Sequence, residues 1–205
     1  MERVGWQDIR AALQSRPPQR VVDPVAARAA VAVGLRERAG AIEILFIRRA
    51  EHPADPWSGQ MAFPGGRAEQ GDVDLKATAL RETLEEVGLD LETQAEPLGA
   101  LDEVRAMARM RPLDLAISPF VFRLQRDAAP ELSREVRSVH WLPLDELLGP
   151  SRRSTMDYQH QGDTLQFPCL RVEELVIWGL TYRMFMSFQE RFRPADPDGE
   201  PGARP

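Results

Sequence analysis

The chain has 205 residues, of which 43% are hydrophobic and 28% charged, and its formal net charge is −6 at pH 7. This length and composition predict one domain with extensions, and the negative charge argues against general nucleic-acid binding. A single cysteine, Cys169, allows no internal disulfide, which suits a cytoplasmic protein, and no apolar run reaches the ~18 residues of a membrane span.

The first half of the chain predicts a short amphipathic helix followed by strands. The helix is expected over residues 6–15, and the proline-rich segment after it is expected to wrap the domain. Residues 28–37 and 41–50 are typical of two strands joined by a tight turn. A polar loop over 51–59 then leads into a short strand and a glycine turn.

The second half begins with a predicted helix over 73–87, which Gly88 ends. Strands are expected at 98–104, 115–124 and 136–142, a short helix at 143–149, and a hairpin around Gly162 and Asp163. Residues 173–192 predict a final helix. Its expected inner stripe is Leu175, Val176, Leu180, Met184 and Phe188.

Composition and pattern together divide the chain into three parts. Residues 1–27 are predicted to form an N-terminal helix and wrapping segment, and 28–192 the main domain. Residues 193–205 have the proline- and glycine-rich composition of a disordered tail.

Three carboxylates crowd the predicted helix 73–87. Glu82, Glu85 and Glu86 fall within an arc of about 100° on a helix. The apolar residues expected on the opposite side are Ala77, Leu80, Leu84 and Val87. Like charges at i,i+4 cost a few tenths of a kcal/mol, so solvent, Arg81 or a divalent cation must offset the repulsion. An isolated acidic face of this kind is most often a solvated surface.

The residues before and after the helix favour a catalytic interpretation. Residues 63–89, FPGGRAEQGDVDLKATALRETLEEVGL, resemble the signature of the Nudix hydrolases. Gly66 matches the first glycine of that signature, and residues 81–89 match its second half. The chain departs from the signature at Thr83, where an apolar residue is usual, and at Asp72, which replaces a glutamate and lies one residue further from Arg81. The coenzyme A branch of the family often has this longer form with aspartate.

The resemblance implies an α/β fold, an α/β/α sandwich around a mixed β-sheet. It also implies hydrolysis of a nucleoside diphosphate linked to another group, with Mg²⁺ or Mn²⁺ as cofactor. Dense oxygen ligands suit these ions. The implied metal ligands are Glu82, Glu85 and Glu86, and the implied catalytic residues are Glu85, Arg81 and Glu135. Arg81 is expected to hold the glutamates in place, and Glu135 to supply an extra carboxylate, although a solvated charge is the competing interpretation.

A second, narrower resemblance is to the coenzyme A diphosphatases. Residues 59–66 match the pattern that precedes the box in that branch, and residues 177–181 match its I-W-G-x-T stretch. The pattern's two arginines are less well matched, because Asp55 stands where the second is expected. The residues expected to bind substrate are Arg48, Arg49, Gly65, Gly66 and Arg67.

The leading prediction is therefore hydrolysis of coenzyme A or an acyl-coenzyme A to 3′,5′-ADP and a 4′-phosphopantetheine species. One alternative keeps the reaction but changes the substrate to ADP-ribose, NADH or another nucleotide derivative, and another is a sensor domain without turnover. The expected partner is a small-molecule nucleotide, with neither nucleic acid nor membrane, and a homodimer stays open. Trp57, in the loop before the box, is expected either to stack on a base or to pack on its own domain.

Overall fold

The computed structural model describes residues 3–53, 55, 57–108, 111–160 and 162–192. The helices are α1 (Trp6–Gln14), α2 (Leu75–Val87), α3 (Leu91–Gln94), α4 (Leu144–Leu148) and α5 (Gly179–Glu190). The strands are β1 (Ala27–Arg38), β2 (Ala41–Arg49), β3 (Met61–Ala62), β4 (Gly65–Arg67), β5 (Ala95–Ala100), β6 (Val104–Ala108), β7 (Arg111–Leu124), β8 (Val136–Pro143), β9 (Arg153–His160), β10 (Asp163–Val172) and β11 (Leu175–Trp178).

Within the described residues, the larger sheet has eight strands and is mixed. Its main order is β3-β2-β1-β7-β5, with β4, β6 and β8 paired to β1, β7 and β2. The β1–β7 pair is parallel and the other pairs are antiparallel. Strands β9, β10 and β11 form a separate antiparallel sheet.

Side chains alternate across the larger sheet and bury both of its faces. On β1, Val31 and Val33 join one apolar cluster, and Ala30 and Ala32 join another. Helices α1, α4 and α5 contribute to the first cluster, and α2 contributes to the second. Because successive side chains of a strand point to opposite faces, helices cover the sheet on both sides. This confirms the predicted α/β/α sandwich with a mixed sheet.

Helix α2 ends at Gly88, as its sequence predicts, and begins at Leu75, two residues after the predicted start. Asp74 accepts a hydrogen bond from the Ala77 N–H at 2.7 Å, which satisfies a free donor of the first turn. Gly88 ends the helix in the left-handed region, with φ 67°. Its Cβ would lie 2.9 Å from Glu131, so only glycine fits there.

The buried face of α2 differs from the predicted one. Leu84 was expected on the apolar side and is 50% exposed, whereas Thr83 and Glu86 are buried. The helix turns part of its acidic side towards β4, because Glu86 bonds to the backbone of Gly65. Thr83, the departure from the signature, satisfies its buried hydroxyl by donating to the Ala79 carbonyl at 2.7 Å.

Two predicted elements are wrong in number or type. The strand expected at 98–104 is two strands, β5 and β6, interrupted at 101–103, where Asp102 and Glu103 bind arginines and the N-terminal segment. The helix expected from 173 begins only at Gly179, because residues 175–178 pair with β10 as β11. Leu175 and Val176 therefore belong to a strand, while Met184 and Phe188 are buried on α5 as expected. The tail predicted to be disordered, 193–205, lies outside the described residues.

The segment after α1 lies against the interruption between β5 and β6. The Gln19 N–H donates to Asp102 at 2.9 Å, and the Val21 N–H donates to Glu103 at 2.9 Å. Arg191, at the end of α5, also reaches Asp102, at 3.0 Å. The segment after α1 and the end of α5 therefore both bind the loop 101–103. None of the helices described has the length and apolar character needed to cross a membrane.

Candidate active site

A cavity of about 330 Å³ lies where α2, β4 and the start of α5 meet. Acidic, basic and glycine residues line it together with apolar residues from the strands and α5. Its charged lining residues are Arg49, Arg67, Glu82, Glu86 and Glu135. The cavity therefore gathers residues from four separate parts of the sequence into one polar site.

Gly65 and Gly66 let the backbone approach its neighbours closely. A Cβ on Gly65 would lie 2.3 Å from the Ala30 carbonyl oxygen, and the residue has φ 154°. A Cβ on Gly66 would lie 2.3 Å from a carboxylate oxygen of Glu82. Neither position accepts a side chain without displacing its surroundings. The turn thus places backbone atoms directly beside the acidic side chains of Glu82 and Glu86.

Glu86 is a buried carboxylate with little compensating charge. It is 3% exposed, and the Gly65 N–H donates to its Oε2 at 2.9 Å. Arg49 Nη1 lies 3.8 Å from its Oε1. Burial raises the pKa of Glu86 to about 7, because the hydrogen bond from Gly65 and the charge of Arg49 offset only part of the desolvation.

Glu82 and Glu85 share one guanidinium. Arg81 Nη1 donates to Glu82 at 3.0 Å and to Glu85 at 3.1 Å. Glu82 lines the cavity, and burial raises its pKa. The Glu85 side chain is 57% exposed and lies outside the cavity lining. Two of the three predicted metal ligands therefore face the cavity directly, and Glu85 is held next to them by Arg81.

Arg81 is itself anchored by Asp72. Its Nε and Nη2 donate to the two carboxylate oxygens at 3.0 and 3.1 Å. The hydrogen bond from Arg81 lowers the pKa of Asp72 well below its ordinary value, and the same bond raises that of Arg81. Thr78 also donates to Asp72, at 2.8 Å. Sequence reasoning gave Thr78 no role, although its place one turn before Glu82 on the same helix was a usable signal.

The predicted phosphate-binding arginines have different surroundings. Arg67 is exposed and lines the cavity, and its backbone carbonyl accepts from Arg81 at 3.0 Å. Arg49 also lines the cavity, but its Nε donates to Asp55 at 2.8 Å. Arg48 is outside the cavity lining and donates to the Gly59 carbonyl at 3.3 Å. Of the three, Arg67 is best placed to meet a phosphate.

Glu135 and Thr181 complete the site from later parts of the chain. Glu135 is exposed and is far from the acidic helix in sequence, but it lines the same cavity as Glu82 and Glu86. Thr181 is buried and donates to the Met61 carbonyl at 2.9 Å. Sequence reasoning assigned no role to Thr181, although it is the last residue of the I-W-G-x-T stretch.

The acidic residues suit a hard divalent ion, because all of their possible ligand atoms are oxygens. Within the described part of the chain, no three His, Cys, Asp or Glu side chains surround a common point, and Arg81 Nη1 donates to both Glu82 and Glu85. Glu82 and Glu86 are nevertheless carboxylates whose burial raises their pKa. A positive ion in the cavity would supply the charge that their surroundings lack, so the residues present fit such an ion.

Comparison with known proteins identifies the family. A family model of the NUDIX domain matches residues 26–161. A relative named uncharacterized Nudix hydrolase NudL, from Enterobacter sp. (strain 638), is 33% identical over 157 residues, covering 75% of this chain and 77% of the relative. The chain belongs to the Nudix hydrolase family. It is therefore a hydrolase of the diphosphatase type, as the box over residues 63–89 predicted.

Other similarities concern shorter regions or the fold alone. An uncharacterized protein of Schizosaccharomyces pombe is 44% identical over 111 residues, and this chain spans only 33% of that relative's length. The crystal structure of a MutT/nudix family protein from Enterococcus faecalis matches with a TM-score of 0.56 at 15% identity, covering 92% of this chain and 69% of that one. The latter likeness supports the Nudix fold and carries nothing about the substrate.

Proposed function

We propose that this Nudix hydrolase cleaves the diphosphate bond of coenzyme A or an acyl-coenzyme A, giving 3′,5′-ADP and a 4′-phosphopantetheine species. The proposal includes Mg²⁺ or Mn²⁺ as the ion. A cytoplasmic location and a homodimer stay predictions.

One contact carries the proposal. The two segments that resemble the coenzyme A branch, 59–66 and 177–181, are more than a hundred residues apart in sequence. The hydrogen bond from Thr181 to the Met61 carbonyl joins them, and both segments line the same cavity as Glu82 and Glu86. Residues outside the Nudix signature thus shape the space next to the acidic helix, where the group that distinguishes one substrate from another must lie.

Each residue of the site then has a role in the proposed reaction. Glu82, Glu85 and Glu86 would hold the ion, and Arg81, fixed by Asp72, would position Glu82 and Glu85. The ion supplies charge neutralisation of the diphosphate and a polarised water. The glycine turn allows phosphate oxygens to approach the backbone, and Glu135 would accept the proton of the attacking water.

Arg67 is the proposed partner of the 3′-phosphate of coenzyme A. It lines the cavity and is exposed, so a phosphate can reach it. From the sequence, Arg49 was the arginine expected to distinguish coenzyme A from dephospho-coenzyme A, with Arg48 and Arg67 as the other candidates. Its ion pair with Asp55 at 2.8 Å, with the two side chains 24% and 15% exposed, makes it a weaker one.

The test is a panel of substrates measured by kcat/KM with Mg²⁺ and with Mn²⁺. We expect coenzyme A to be cleaved faster than dephospho-coenzyme A, ADP-ribose and NADH. Arg67→Ala should reduce the ratio of coenzyme A to dephospho-coenzyme A roughly tenfold, because a charged hydrogen bond is lost only where the 3′-phosphate exists. Arg48→Ala is the matched control and should leave the ratio unchanged.

The Arg49–Asp55 ion pair favours one second candidate. Asp55 stands where the coenzyme A pattern has its second arginine, and it neutralises Arg49 as well, so the pair suits substrates without a 3′-phosphate. A clear preference for ADP-ribose or NADH in the panel would establish this alternative and reject coenzyme A.

A further inference from the structure

A second cavity, of about 320 Å³, adjoins the acidic one. Trp57, Gln60 and Leu180 line both cavities, so the two lie against the same three residues. The indole of Trp57 is fixed there, because its Nε1 donates to the Met107 carbonyl at 3.2 Å. Of the two roles that sequence left open for Trp57, packing on its own domain is the one that the structure supports.

The second cavity is predominantly apolar. One wall is an aromatic cluster in which Tyr158 and Phe167 contact Trp178 at centroid distances of 5.3 and 5.8 Å. Met107, Pro168 and Leu180 add aliphatic and thioether surface. The volume lies within the ~300–1,000 Å³ typical of small-molecule pockets.

The chemistry of this lining selects its occupant. A phosphate would lose hydration against apolar walls and would meet one cation of the lining, Arg183, which already donates to the Arg105 carbonyl at 3.3 Å. The planes of Tyr158, Phe167 and Trp178 meet at 42° to 78°, so no two of these rings form a parallel slot for a nucleobase. A flexible apolar chain gains from contact with such a surface whatever its orientation.

We infer that this cavity binds the acyl chain of an acyl-coenzyme A, whose diphosphate occupies the adjoining acidic cavity. The inference rests on the proposed function and deepens it, since it makes thioesters with an apolar chain the preferred substrates over free coenzyme A. The aromatic wall would act by binding alone and take no part in the chemical step.

The first test is the dependence of kcat/KM on chain length, from free coenzyme A through acetyl- to decanoyl-coenzyme A. Each methylene that enters the cavity should raise kcat/KM by up to roughly fourfold until the cavity is filled. Phe167→Ala should reduce the preference for octanoyl- over free coenzyme A roughly tenfold while leaving hydrolysis of free coenzyme A unchanged. Leu165→Ala is the matched control, since Leu165 is half-buried on the same face of β10 but lies outside the cavity lining.

A flat chain-length profile, or an equal loss for free and octanoyl-coenzyme A in Phe167→Ala, would overturn the inference. The equal loss would instead assign the cavity to a part common to both substrates, such as the adenine. A melting curve checks that the variant is folded.

Calorimetric titration of the wild-type protein with S-acyl-pantetheines, which lack the diphosphate, separates this inference from the proposed function. Affinity that rises with chain length supports the apolar cavity even if no coenzyme A derivative is hydrolysed, in which case only the proposed function fails. Affinity independent of chain length would reject the cavity assignment even if coenzyme A is cleaved.

Discussion

Arg81 and Asp72 form a two-point ion pair, with Nε donating to Oδ1 at 3.0 Å and Nη2 donating to Oδ2 at 3.1 Å. The same guanidinium donates to Glu82 and Glu85. A planar donor fixed on one edge has little freedom on the other, so the position of Asp72 determines where two of the proposed metal ligands lie. The longer, aspartate-containing form of the signature is thus compatible with an intact arginine–glutamate arrangement.

The first prediction concerns this anchor. Asp72→Ala should raise the metal concentration needed for half-maximal activity by roughly 10- to 100-fold, because partners that orient metal ligands typically contribute that much. Titration of activity with Mg²⁺ measures the shift. Asp74→Ala is the matched control: it removes a helix cap, should cost about 1 kcal/mol of stability, and should leave the metal requirement unchanged. If both variants needed the same metal concentration, Asp72 would have no role in positioning the metal ligands.

The second prediction concerns the burial of Glu86 in the metal-free protein. Its folded-state pKa of about 7 is above the ordinary value of 4.5, because the folded protein favours the neutral carboxyl. The stability that this preference contributes is fully present below pH 4.5 and is lost as the pH rises through 7. Glu86→Gln keeps the acceptor for the Gly65 N–H and avoids this loss. The variant should therefore gain stability over wild type between pH 4.5 and 7, by up to roughly 3 kcal/mol at pH 8.

Urea unfolding in the presence of EDTA, at pH 4.5, 6 and 8, measures the gain. Glu85→Gln is the control, because the Glu85 side chain stays 57% exposed. A gain of the same size in Glu85→Gln would show that repulsion among the glutamates, and not burial, is the cause. A Glu86→Gln variant less stable than wild type at pH 8 would contradict the account.

The third prediction concerns the contact between the two ends of the described chain. Asp102 binds Arg16 and Arg191, and the Arg191 side chain is fully buried. Burial alone would raise the pKa of Asp102, but hydrogen bonds from Arg16 and the Gln19 N–H, with the charges of both arginines, outweigh it and lower the pKa to about 2. Asp102→Asn should cost roughly 3–5 kcal/mol of stability at pH 7, because it leaves a buried guanidinium without its counter-charge.

The pH dependence of this cost follows from the lowered pKa. The carboxylate's stabilisation is present above its unfolded value of 3.8 and is lost as the pH falls through about 2, so the difference between variant and wild type should narrow over that range. Asp127→Asn, at an arginine-paired but 67% exposed aspartate, should cost less than about 1 kcal/mol throughout. A cost for Asp102→Asn as small as that of Asp127→Asn would show that the ion pairs contribute little.

The sequence predicts much of this fold because local and tertiary preferences agree in it. The apolar runs at 28–37 and 41–50 and the glycine stop of α2 are local signals that the structure confirms as β1, β2 and a helix ending at Gly88. Residues 173–178 were predicted to be helical, because a run this short does not distinguish the period of a helix from that of a strand. The strand that residues 175–178 form depends on pairing with β10, which local sequence does not reveal.

The site was predictable where its residues follow a signature and less so where it depends on packing. The spacing of Glu82, Glu85 and Glu86 indicated the acidic face, but not that Glu86 is buried and Leu84 exposed. That difference arises from the contact of α2 with the glycine turn, which no helical periodicity contains. The contacts of Thr78 and Thr181, and the apolar cavity beside Trp57, likewise join residues that only the folded chain brings together.

The central claim is that the acidic helix α2 carries metal-dependent hydrolysis of a diphosphate bond. The most direct measurement is the turnover of coenzyme A by wild type, Glu85→Gln and Glu86→Gln at saturating Mg²⁺ or Mn²⁺, with the products separated by chromatography. We expect wild type to release 3′,5′-ADP and 4′-phosphopantetheine, and each variant to be slower by at least about a hundredfold while remaining folded, since loss of a ligand charge weakens stabilisation of the transition state. Near wild-type turnover in either folded variant would contradict the assignment of the site.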